Sequence, residues 1–195
     1  MSGLALLFVL VVWGALSWRF SKALQRFVGT ERFASQSVRV GIAGILATIW
    51  VGSSFWYAGG RKLYYDEELY RLCQVDAVVM VYETVTLPPE MFDQWGDPFP
   101  GWRGRQFEDR LGNEYRYVMG ISDLKKGDAF AGDIELRRYT FEIFRRSDKK
   151  LMGRAISYGR SGGDFIAIAH PTSKSCPADQ SETDLIRSVF VMKRR

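Results

Sequence analysis

Hydrophobic and polar positions are sorted into long blocks in the first third of this chain and interleaved in the rest. Residues 40–60 (VGIAGILATIWVGSSFWYAGG) carry no charged side chain and are bounded by Arg39 and Arg61. As a helix rising about 1.5 Å per residue they reach about 30 Å, the thickness of a bilayer's hydrocarbon core. Residues 2–18 are nearly as apolar, with no charge before Arg19. The pattern predicts two transmembrane helices, about 2–18 and 40–60, since a helix in a soluble core seldom lacks a polar face for so long. A cleaved signal peptide is the competing reading of the first, with Ala15 and Ser17 as small residues before a cut. Only Met1, Ser2 and Gly3 precede the apolar run, where a signal peptide carries basic residues. In the second helix Gly44, Thr48 and Gly52 recur every fourth position and predict a packing stripe against the first.

From residue 61 onward the periods shorten. Residues 64–76 predict a short helix after the Gly59-Gly60 pair, with Asp66 as N-cap and Leu69, Leu72 and Cys73 on one face. Residues 77–87 (AVVMVYETVTL) predict one strand ending at Pro88-Pro89, and 114–121 a second after the Gly112-Asn113 turn. In 134–146 the apolar positions shift from Ile134 and Leu136 to Tyr139, Phe141 and Ile143. That change of parity predicts a bulge near Arg137-Arg138. A polar turn at 147–150 leads into a strand at 151–158. Shorter strands follow at 165–169 and 189–192, with a helical turn near 181–187. Strands without long helices between them favour an antiparallel sheet, so 61–195 is expected to form one α+β domain.

Charge settles which side that domain occupies. The chain holds 27 Lys and Arg against 22 Asp and Glu, a net +5. Residues 19–39 contain Arg19, Lys22, Arg26, Arg32 and Arg39 against Glu31 alone, which leaves 61–195 close to neutral. A nucleic-acid partner is therefore not expected, because such binding needs the basic residues on the folded domain. Short loops rich in Lys and Arg stay cytoplasmic, so 19–39 is read as a cytoplasmic loop and 61–195 as extracytoplasmic. Trp18, Trp56 and Tyr57 suit interfacial belts. Phe20, Leu24, Phe27 and Val28 recur at helical spacing and predict a short amphipathic helix on lipid.

Candidate chemistry is sparse. Cys73 and Cys176 are the only cysteines, and in an oxidising compartment they are expected to form one disulfide. The alternative pairs Cys176 with His170 in HPTSKSC as nucleophile and base, in the manner of the cysteine transpeptidases that cross-link cell walls. The Ser-x-Gly-Cys signature of those enzymes is missing: Lys174 and Ser175 precede Cys176, and Pro171 follows His170. One histidine and two distant cysteines do not make a metal site by spacing, and no cofactor is expected. Gly162-Gly163-Asp164-Phe165 resembles a fragment of the signature of cyclic-dinucleotide synthases but lacks its glutamate, and is read as a turn. In 91–105 (MFDQWGDPFPGWRGR) Phe92, Trp95, Phe99 and Trp102 sit in a loop broken by Gly and Pro. They are candidate contacts for a partner, glycan or membrane, or else a lid folded back on the sheet.

The run LYRLCQVDAVVMVYETVTLP, the Gly-Gly-Asp-Phe turn and Cys176 together resemble a group of small uncharacterised bacterial membrane-anchored proteins with an extracytoplasmic domain. The resemblance covers a third of the outer domain and implies no activity. The expected role is an interaction or scaffold module in the inner membrane, not an enzyme, with membrane lipid and an envelope protein or a second copy as partners. A module that binds lipid, glycan or peptide through the aromatic loop is the alternative.

Overall fold

The computed structural model describes residues 2–30, 35–105, 110–164, 171–177 and 181–193. The architecture is α+β, a helical N-terminal region followed by an antiparallel-sheet domain. Helix α1 (Ser2–Gly29) runs unbroken for 28 residues. No Gly or Pro interrupts it between Gly14 and Gly29, and Ser17, Phe20, Leu24 and Val28 continue one half-buried face at helical spacing. Helix α2 (Gln36–Phe55) pairs with it, and both are long and apolar enough to cross a membrane. Phe20 stacks on Trp50 with ring centroids 4.9 Å apart, Trp50 Nε1–H donates to Ser17, and Trp13 Nε1–H donates to Ser54. Buried Arg39 donates to the Thr30 carbonyl, just past the negative end of α1.

Two expectations change here. The stripe of Phe20, Leu24 and Val28 is turned toward α2 and continues α1, so it does not form a separate helix on lipid. The Gly44, Thr48 and Gly52 stripe is exposed, with open space beside both glycines, and Thr48 bonds back to the Gly44 carbonyl. The half-buried positions of α2 are Ala43, Ala47, Trp50 and Ser54. In apolar surroundings each indole N–H needs an acceptor, and the two Trp–Ser pairs select the face.

Beyond α2 another helix follows after a break at Gly59. A π-helical turn, Trp56–Gly60, kinks the chain where Gly59 leaves helical space (φ 171°, ψ −13°), and helix α3 (Arg61–Asp76) follows. Asp66 is therefore not an N-cap. It lies one turn inside α3, and its carboxylate receives Arg160 Nε–H at 2.6 Å.

The main sheet contains β1 (Val79–Val81), β3 (Tyr115–Lys125), β4 (Ile134–Arg145), β5 (Leu151–Gly162) and β6 (Ser173–Cys176). Their order is β1-β5-β4-β3, with β6 also pairing β5, and every pairing is antiparallel. A separate parallel pair joins β2 (Val85–Leu87) to β7 (Phe190–Met192). The expected single strand over 77–87 is thus two strands in two sheets. Between them the Tyr82 and Glu83 amides both donate to the Met152 carbonyl, while the Glu83 carboxylate pairs with Arg145 and Lys150. Helix α4 (Ser181–Val189) precedes β7. The strand expected at 165–169 lies outside the described residues.

An irregularity falls beside Arg137-Arg138, but its extra residue lies in the neighbouring strand β3 and not in β4. Asp123 faces Arg137 and Lys125 faces Leu136, which leaves Leu124 unpaired, and a second shift falls at Ile143/Phe144. The parity change has another cause: both faces of β4 are covered, at different heights. Leu136, Ile156 and Tyr158 meet Leu69 of α3 on one face. Phe141, Ile143 and Tyr117 meet Leu185, Ile186 and Val189 of α4 on the other. Gly153 lets α4 approach, since a Cβ there would come within 2.8 Å of Val189 and 2.9 Å of Leu185. Each fully buried aliphatic side chain contributes about 1.5–3 kcal/mol of transfer free energy. The α3 face has fewer of these and is fastened covalently by the Cys73–Cys176 disulfide, whose Cα atoms are 5.9 Å apart.

Candidate functional site

Helix α3 gives the domain two ends. The near end, beside Arg61, holds the start of β4 and the last residues of β3 and β5. The far end, about 35 Å along β4, holds the start of β3 and the loop containing Phe92, Trp95, Phe99 and Trp102.

That loop splits in two. Phe99 adopts a left-handed backbone (φ 56°), which places its ring edge-on against Tyr115 and Phe190. Such a conformation costs a bulky residue of order 1–3 kcal/mol, offset here by burial. Trp102 is 3% exposed, with the guanidinium groups of Arg103 and Arg110 over its ring. Both rings belong to the core and are closed to a partner, so this half of the loop is the lid.

The other half presents a side chain outward. Trp95 is 75% exposed at the crest of a turn that is tightly tied. Asp93 Oδ1 accepts the amides of Trp95 and Asp97, at 2.8 and 2.9 Å, an Asx turn completed by Gly96 at φ 76°. At its base half-buried Phe92 bridges Pro98. Buried Asp97 receives Arg187 Nε–H at 2.6 Å and pairs with Arg103 at 3.1 Å, which bolts the turn to α4. Beside the crest lies a groove of about 480 Å³, lined by Phe92, Gly96, Arg187 and residues 190–193. A rigid, exposed indole beside an apolar groove is the arrangement of an interface anchor. The Asp-x-x-Gly spacing of 93–96 is its sequence signal, easily hidden among the neighbouring Gly and Pro residues.

Along the α3 seam, polar contacts fix the sheet. Arg160, 2% exposed, bonds Asp66 and the Gly162 carbonyl. Tyr158 O–H donates to Asp76 at 2.6 Å; with Arg138 it holds that carboxyl below its ordinary value against mild desolvation. Burial pushes Asp164 upward, but Lys62 and the Thr172 amide and hydroxyl outweigh it and leave its carboxyl lowered. The turn before Asp164 runs through Gly162 and Gly163, both left-handed, and a Cβ on Gly162 would overlap the Asp133 carbonyl.

Cys176 is bonded to Cys73, which removes it as a free thiolate, and His170 lies outside the described residues. Among the described residues no three His, Cys, Asp or Glu side chains gather as a metal set. In comparison with known families, curated proteins and solved structures, the chain matches none.

Proposed function

We propose that this chain is a membrane-anchored envelope protein whose outer domain is an interaction module, docking a partner at the far end through Trp95 and the groove beside it. The carrying observation is the Trp95 crest: two aspartates and Arg187 hold an exposed indole that no packing requires. In this reading α1 and α2 cross a bacterial inner membrane, with the connection between them on the cytoplasmic side and the sheet domain outside. The basic residues of 19–39 and the disulfide both support that orientation. The short junction between α2 and α3 supports a scaffold role, because it keeps the domain close above the end of α2.

A photocrosslinker at Gln94 in native membranes tests the docking surface. The expected result is a captured envelope protein, or a second copy, that disappears on Trp95→Ala while the disulfide and fold persist. Unchanged capture by Trp95→Ala sinks the docking proposal. Co-purified lipid, glycan or peptide in place of a protein would favour the alternative of a ligand module using the same groove. Protease protection of the C-terminal domain in intact, inside-out vesicles checks the orientation, and cleavage there would overturn it.

A further inference from the structure

At the near end, the π turn and the sheet enclose a pocket of about 340 Å³. Trp56, Tyr57, Arg61 and Tyr65 line it from the helix, and Lys125 and Lys126 from the end of β3. Three cations face it against one carboxylate, Asp133. Among the described residues none of the three cations forms an ion pair. Arg61 Nη2 donates to the Gly132 carbonyl at 2.6 Å, but its Nε–H is buried and without a partner among the described residues. The Lys125 ammonium sits 5.2 Å from the Tyr65 ring centroid, and Lys126 makes no ion pair among the described residues. Lys62, one residue from Arg61, is by contrast occupied by Asp164.

An apolar rim surrounds this basic pocket. Phe130 is 71% exposed on the short helical turn Ala129–Ala131, whose amides Asp128 ties down, and Leu124 is exposed next to Lys125. On the helix side Trp56, Tyr57, Leu63 and Tyr64 are exposed just beyond the apolar span of α2. Aromatic rings mixed with lysines at the end of an apolar helix suit the headgroup layer of a bilayer. There a basic pocket meets phosphate, and Phe130 meets the upper acyl chain.

We infer that this pocket binds the headgroup of an anionic phospholipid from the membrane that α2 crosses, an inference that rests on the membrane reading above. The phosphate would be met by the Arg61 guanidinium and the two lysines. A zwitterionic lipid brings its own ammonium into a site already lined by three cations, so the pocket selects against it.

The test uses the full chain in detergent, offered equal amounts of phosphatidylglycerol and phosphatidylcholine, with bound lipid counted by native mass spectrometry. Preferential retention of phosphatidylglycerol is expected. In Lys125→Ala/Lys126→Ala its binding should weaken about thirtyfold, from about fivefold per basic residue at an anionic surface. Lys125→Arg/Lys126→Arg should retain it, which separates lost charge from lost fold. Equal retention of both lipids, undiminished binding by the alanine pair, or equally tight binding of free glycerol phosphate would each overturn the site. Alkaline extraction distinguishes the two levels of failure. A chain that stays in the membrane without lipid preference loses only this site, whereas a chain released to the supernatant loses the membrane reading as well.

Discussion

Trp95 and Phe130 stand at opposite ends of the domain on the same local device. Each is a bare aromatic at the crest of a short turn whose amides are held by an aspartate two residues earlier, Asp93 or Asp128. Their surroundings differ. Around Trp95 the buried carboxylate of Asp97 engages both Arg187 and Arg103, and the groove beside them is mainly apolar. Around Phe130 the unmatched charges are cationic, beside the end of an apolar helix. The turn therefore decides that a ring is exposed, and the neighbouring charge decides what it can meet. An apolar groove with its arginines engaged suits a folded partner, while an unmatched basic pocket suits a sheet of phosphates.

Cutting the covalent fastening of α3 to the sheet should have the largest effect. The Cys73–Cys176 bridge spans 103 positions, and its loss should cost about 4–5 kcal/mol in the chain-entropy picture. Denaturant midpoints with and without reductant measure this, and an unchanged midpoint would mean that α3 is held by its polar contacts alone. Next comes the floor beneath the far crest. Trp102→Ala should cost about 3–5 kcal/mol, whereas Trp95→Ala should stay within roughly 0.5 kcal/mol. Similar losses for both would end the division of the loop into a lid and a crest.

Asp93→Ala and Asp128→Ala should each cost about 1 kcal/mol, as the loss of a capping side chain does. The comparison is sharpened by their readouts. The first should weaken partner capture and spare lipid, and the second should do the reverse. The smallest expected effect is an acid limb. Asp164 is lowered from its ordinary value of 3.8, so it is protonated more readily in the unfolded chain. Its stabilisation is present above about pH 4 and is lost as pH falls through its folded pKa. Asp164→Asn should flatten that part of the stability profile.

Much of this fold was legible because it is written in local patterns. Both apolar helices, the strands around 115–121 and 151–158, and the left-handed Gly162-Gly163 turn follow from period and composition. The errors came where a second element decides. The alternation over 77–87 continues smoothly through Glu83, and only Arg145 and Lys150, more than sixty positions away, break it. The drift from Leu136 to Phe141 looks like a bulge in one strand because α3 and α4, which cover opposite faces, are invisible from within it. At the candidate sites the aromatic residues were visible as residue types. Their division into buried Phe99 and Trp102 and exposed Trp95 was not, since it depends on Tyr115, Phe190 and Arg187. The basic pocket was beyond reach, because it joins residues 56–65 to Lys125 and Lys126 across the fold.

The π turn at Trp56–Gly60 also acts as an angular setting. One residue more or less in a helix rotates everything after it by about 100° around the axis. A single deletion there would leave every contact inside the sheet domain intact. It would nevertheless swing the domain to another bearing around α2, carrying Phe130 and its lysines away from one neighbouring surface and toward another. In this chain the compass heading of a whole domain is set at one glycine junction between two helices.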